Sequence, residues 1–302
     1  MRQPRAYASA LHAATSQLYS DSVISDITTY KISDKIFSAL SAAWKRAVRF
    51  IHRIGAYRFQ DLAADELQGL TRATNAALGE AVDFALKDND IPPAMQQYLQ
   101  SNVFIFSGFK THTELTLASS LLRDDKGQVK PFNLFLNDIK SIDNTYNRSY
   151  LQAEYNFAVS SAQAAAKWQA FAADGDDRLL QYRTAKDERV REQHRLLDGI
   201  TLPASDSFWD KYFAPNGWNC RCNVVQVSSK RYKPSDHDAA MQAGDAATYL
   251  PDSKGRNRAA IFRFNPGKQQ IIFPPNHPYY NRKSKSYKEI KKILEDIEES
   301  NE

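Results

Sequence analysis

A chain of 302 residues, 42% hydrophobic and 25% charged, can bury the core of one large domain or two ordinary ones, and its composition excludes wholesale disorder. The net charge of +5 permits contact with nucleic acid or an acidic surface, but the basic residues form no concentrated stripe of the kind a dedicated DNA binder carries. Two cysteines exclude a disulfide scaffold, no run approaches the ~20 apolar residues that cross a bilayer, and the polar start is not a secretory signal, so folding in a reducing cytoplasm is expected.

Residues 6–50 read as helical. Leu11, Leu18, Ile24 and Ile27 recur loosely, and Ile36, Phe37, Leu40, Trp44, Ala47, Val48 and Ile51 follow a period near 3.6, with Ser33-Asp34 as the N-cap. Gly55 punctuates the chain. A second helical region, 59–86, places Leu62, Leu67, Leu70, Ala77, Leu78, Ala81 and Phe84 on its apolar face and ends before Pro92-Pro93. The apolar run Asn102–Phe109 fits strand or helix, and 110–122 resumes a helix. Residues 123–131 read as a loop. Residues 132–173 lack proline and glycine and read as one long helix or a hairpin of two. Its alanine-rich part, 162–166, would let another helix approach closely.

Beyond residue 175 the pattern is mixed. Leu179–Thr184 reads as a strand, leading into a charged helix over 184–197 that Asp198-Gly199 would terminate. On that helix Asp187 would form a salt-bridge ladder with Arg183 and Arg191 at i, i±4, sharing a face with Val190 and His194. Ile200–Leu202 is short and extended, Asp206-Ser207 would open a brief helix at Phe208-Trp209, and 223–227 reads as a strand. Residues 228–258 read as loop-rich. Ile261–Phe264 and Gln270–Phe273 read as a hairpin turning at Asn265-Pro266-Gly267-Lys268. The last helix, 287–299, carries Ile290, Ile293, Leu294 and Ile297 on one face, with lysines at its start and acids at its end. That polarity opposes the helix dipole, so the helix would hold only by packing on the body or on a partner. The fold class expected is α+β: a mainly helical region (1–175), a compact mixed domain with short strands (176–282) and an amphipathic C-terminal helix (283–302).

The densest chemistry lies in 182–227. Cys220 and Cys222, spaced C-x-C, would project to one side of an extended segment, where a disulfide is strained but two thiolates can hold one metal ion. A zinc site, a pair of buried free thiols and a redox pair all fit that spacing. Arg221 between them would face the other way, toward an internal acid or a phosphate or carboxylate of a neighbouring subunit. Trp209, Tyr212, Phe213 and Trp218 read as a locally packed loop core or as stacking platforms for single-stranded nucleic acid. A Cys220–His194 nucleophile pair lacks any accompanying catalytic signature, and phosphate-loop, dinucleotide and HExxH zincin motifs are absent from the sequence.

The series Arg183-Thr184, Asp187, Val190-Arg191, His194, Leu197 and Gly199, followed by Phe208-Trp209, Pro215-Asn216-Gly217 and Cys220-Arg221-Cys222, resembles the Mu F-like minor head proteins of tailed phages. Phe106–Thr111 and Tyr150–Glu154 upstream, and Phe264–Gly267 and Asn276–Tyr279 downstream, extend the resemblance over about 104–280. The resemblance makes His194 and His277 the expected partners of Cys220 and Cys222 in a structural zinc site, with Asp187, Asp198 and Asp206 as rival ligands. It implies a head morphogenesis protein that binds phage portal and capsid proteins, sits inside the head near packaged DNA, and contacts no membrane. It works by docking through helical surfaces and the C-terminal isoleucine stripe, without turnover. No toxin domain is expected after the module. The alternative reading is a metal-dependent or Cys–His hydrolase or nuclease of a phage-encoded toxin or defence system.

Overall fold

The computed structural model describes residues 3–20 and 30–300; Ile24 and Ile27 lie outside the described residues. The protein is mainly helical α+β, with one small antiparallel sheet. It divides into two compact units. The first is formed by residues 1–80, 100–155 and 276–302, the second by 81–99 and 156–275. Helices α3 (Asp65–Leu86), α4 (Pro93–Ser120) and α6 (Leu151–Asp174) each supply residues to both.

In the first unit, α1 (Gln3–Tyr19) is followed by α2 (Asp34–Ile54), which opens where Ser33 Oγ accepts the Ile36 N–H and closes at Gly55 in the left-handed region, φ 73°. Its periodic face buries Leu40, Trp44, Ala47, Val48 and Ile51. Phe84 on α3, expected on a buried face, is 55% exposed. Asn102–Phe109 is helical, inside the 28-residue α4. α5 (Phe132–Asn144) passes through a π-helical segment, Thr145–Tyr150, directly into α6, so the proline-free stretch is one helix and not a hairpin. The wider π turn releases a backbone carbonyl from the helix ladder. The Tyr146 carbonyl accepts instead from Lys110 Nζ at 2.7 Å.

α11 (Tyr287–Glu299) lies on α4, where Leu294 contacts Gly108; a Cβ on Gly108 would stand 2.3 Å from Leu294 Cδ2. Ile290, Leu294 and Ile297 are buried within the chain. The stripe expected to dock on a phage partner is thus covered by the protein's own helices. No helix among the described residues is long and apolar enough to cross a membrane.

In the second unit, strands β1 (Leu179–Arg183), β2 (Thr201–Pro203) and β3 (Asn223–Val227) form a sheet in the order β2-β1-β3, antiparallel throughout. Leu180 stands opposite Leu202 on one side and Gln226 on the other. The core against this sheet gathers Trp168, Phe171, Leu180, Tyr182, Leu197, Phe208, Trp209, Tyr212, Phe213 and Val224. Trp209, Tyr212, Phe213 and Trp218 are all at most 2% exposed. They are a packed core and not an open stacking platform. Each such ring stabilises the fold by roughly 1.5–3 kcal/mol.

Three sequence expectations fail here, each for a local reason. Residues 184–191 are not helical: Lys186 takes φ 57°, and Asp187 Oδ1 accepts the Arg189 N–H in a turn, leaving only the four-residue α7 (Glu192–Arg195). The region 228–258 contains α9 (His237–Ala247), capped by Asp236, whose side chain accepts the Ala239 N–H. The expected hairpin at Asn265–Lys268 is instead a helix start. Asn265 Oδ1 accepts from the Gly267 and Lys268 amides, Pro266 takes the first turn of α10 (Pro266–Gln269), and Gln270 closes it at φ 54°. The brief helix at Phe208-Trp209 forms as α8 (Phe208–Tyr212).

Candidate functional site

The Cys-Arg-Cys segment leads into β3, whose register pairs Asn223 with Arg183 at the end of β1. Residues 184–198 leave β1 there and return beside it. The Gly199 amide donates to the Tyr182 carbonyl and the Tyr182 amide to the Ile200 carbonyl, both at 2.8 Å. Asp198 Oδ1 closes the base of this excursion by accepting from the Thr184 amide and hydroxyl. Leu197, wholly buried, anchors it in the core. His194, on α7, is thereby held over the cysteines.

His194 Nδ1 lies 3.7 Å from Cys220 Sγ and 3.7 Å from Cys222 Sγ. The three donor atoms fall within 4.8 Å of one another. His194 and Cys220 are buried and Cys222 is half-buried; both thiols are free. Tyr182, wholly buried, donates its hydroxyl proton to Asn216 Oδ1 at 2.9 Å. Interaction with the Cys222 thiol holds Cys220 well below the usual thiol range, and the same interaction, with burial, pushes Cys222 up.

Arg221 makes a two-pronged pair with Asp187, both contacts at 2.6 Å. Those bonds hold the Asp187 carboxyl well below the usual carboxylate range. The anticipated ladder of Asp187 with Arg183 and Arg191 does not form, because its helix is absent. Arg183 Nε donates to Gln181 Oε1, and Arg191 Nη2 to the Trp218 carbonyl at 2.6 Å. Arg191 and Arg221 therefore both tie the 184–198 excursion to the segment carrying the cysteines.

His277 belongs to the first unit. Its Nδ1 accepts the Tyr279 N–H at 3.2 Å, and its Nε2 lies 3.3 Å from the Tyr19 hydroxyl. The structure thus brings together three of the four expected zinc ligands. The rival acids are also engaged elsewhere: Asp187 with Arg221, Asp198 with Thr184, and Asp206 with the Phe208 amide and His237. As for nucleophilic catalysis, the Cys220 N–H is donated to the Gly217 carbonyl and so is not free to hold an oxyanion. A hollow of about 350 Å³ in the first unit, walled by Tyr57, Arg58, His112 and Ser286 among others, contains neither cysteine.

A second cluster was not foreseen. In the first unit Lys110 Nζ donates to Glu154 Oε2 at 2.8 Å, while Glu154 Oε1 accepts from the Tyr19 and Tyr279 hydroxyls at 2.6 and 2.9 Å. Glu114, equally buried, lies 3.9 Å from the same lysine, and burial raises its pKa to about 8. The sequence signal was present in Lys110 and Glu114, an i, i+4 pair within an apolar helix.

Among protein families, residues 131–225 match the one described as "Phage Mu protein F like protein". "Putative capsid assembly protein F" of Escherichia phage Mu is 34% identical over 70 residues, which are 23% of this chain and 15% of that protein. The "Mu-like prophage FluMu F protein" of Haemophilus influenzae is 32% identical over 79 residues, 24% of this chain and 19% of its own length. The chain thus spans less than a fifth of either relative. No solved structure matches. The matched stretch runs from α5 through the π segment and the His194 excursion to the cysteine pair and into β3, and over residues 131–225 this chain is similar to the Mu F-like phage proteins.

Proposed function

We propose that this protein is a minor capsid, head morphogenesis protein of a tailed phage or prophage, docking at the portal vertex and assisting head assembly or DNA packaging and delivery. The observation that carries the reading is the family match over 131–225, beside a 70-residue likeness to a phage Mu protein named for capsid assembly. The inner face of α11 is buried, so docking falls to other exposed surfaces, and the modest positive charge suits a place near packaged DNA. The arrangement around the cysteines supports a brace over a reaction centre, since its arginines are spent on internal pairs and the Cys220 amide is bonded.

The test is co-expression of the full chain with the portal and major capsid proteins of the same phage, followed by affinity capture and by mass spectrometry of purified virions. Co-purification with the portal protein and a low-copy signal in virions are expected. Absence from virions together with failure to capture either partner would sink the proposal. A contact with DNA adds a second readout: affinity falling with salt as phosphates are neutralised.

A further inference from the structure

We propose that His194 Nδ1, Cys220 Sγ and Cys222 Sγ form a three-donor binding site for a zinc-class divalent ion. The geometry of the nitrogen is decisive. At one ring nitrogen imidazole offers either a single lone pair or a single N–H, hence one directional hydrogen bond. Here two sulfurs stand at the same 3.7 Å from that one atom, as equidistant ligands of one ion would, and it can bond to only one of them at a time. An ion placed between all three would bond to each of them at once. With Zn–S about 2.3 Å and Zn–N about 2.0–2.1 Å at tetrahedral angles, sulfur and nitrogen stand about 3.6 Å apart. Both nitrogen–sulfur distances are therefore already at ligand spacing.

The donor set selects the metal. Two thiolates and an imidazole are soft to borderline ligands, suited to zinc and unsuited to magnesium or calcium. The surroundings hold the donors in place: Arg191 fixes the Trp218 carbonyl, two residues before Cys220, and Arg221 fixes Asp187 in the excursion that carries His194. Cys222 is the half-buried member, and the fourth position would fall to water on its side. The inference is independent of the assembly reading. It gives the ion a structural task, tying residues 184–198 to the entry of β3.

The test uses the full chain, expressed in zinc-supplemented medium and purified without chelator. Elemental analysis should find about one zinc per chain, and replacement by cobalt(II) should give a thiolate-to-cobalt charge-transfer band with the strong visible bands of a four-coordinate ion. C222S, the change at the most accessible donor, should lose the metal and the charge-transfer band's full intensity while remaining folded by circular dichroism. H277Q should keep both. A folded wild-type chain that takes up no zinc on dialysis and shows no thiolate–cobalt band would overturn the site. Loss of metal from a folded H277Q chain would overturn the three-donor assignment.

Discussion

Glu114 shows how a single buried group can set the pH response of the first unit. Its pKa lies near 8 in the folded protein, raised mainly by burial, against about 4.5 when exposed. Between those values the folded state holds a proton that the unfolded state has lost. Stability is then fully present below pH ~4.5 and declines by up to about 1.4 kcal/mol per unit as pH rises toward 8. E114Q, which is neutral at every pH, should flatten that decline; chemical denaturation from pH 5 to 8 measures it, and parallel slopes for both chains would refute the assignment. Lys110 presents the opposite case. K110M leaves Glu154 buried without its cation and should cost about 3–5 kcal/mol. Neither role could be read from the sequence beyond the Lys110–Glu114 spacing, because Glu154 and the tyrosines that complete the cluster come from distant segments.

The elements divide by how local their causes are. α2 was legible because its period, its Ser33 cap and its Gly55 stop all lie within its own residues. β1 and β3 were legible for the same reason. The helix expected over 184–197 failed because charge spacing says nothing of Lys186 entering the left-handed region or of Arg221, just before β3, taking Asp187. The hairpin expected at 261–273 failed because Asn-Pro-Gly serves a helix start as readily as a turn. What decides is Gly267, packed so closely on α6 that a Cβ would lie 2.4 Å from Trp168 Cβ and 2.9 Å from the Ala165 carbonyl oxygen. The alanine-rich run was rightly read as a place of close approach, though the visitor is the short α10. G267A should therefore destabilise by about 1–3 kcal/mol, seen as a lower midpoint in thermal or urea unfolding; an unchanged midpoint would show that α10 can shift at no cost.

At the scale of the molecule, the first unit is assembled from three separated pieces of chain, the last of them residues 276–302. That piece brings His277 and Tyr279 to the Lys110–Glu154 cluster and Leu294 to Gly108. A polypeptide ending at residue 175 should accordingly be open to limited proteolysis across α1 and α4, and L294A in the full chain should cost about 2–5 kcal/mol. Equal protease resistance of the shortened and full chains would contradict this. The candidate site was legible in part: the C-x-C pair stood out by its spacing and His194 through the family resemblance, and the structure places the three donor atoms together. The placement of His277 was not, since its position after the cysteines gives no hint that its ring nitrogens are taken by Tyr19 and Tyr279.

The π segment at 145–150 has a consequence for changes of chain length. Removing one residue there would restore a regular α-helix but rotate Glu154 by ~100° about the helix axis relative to α5. The carboxylate would swing off Lys110, and the ammonium would lose its carbonyl acceptor at Tyr146 in the same step. Substitutions along this helix can be absorbed one by one, whereas a single-codon deletion unmakes two charged contacts at once. Length, more than identity, is what this part of the protein cannot trade.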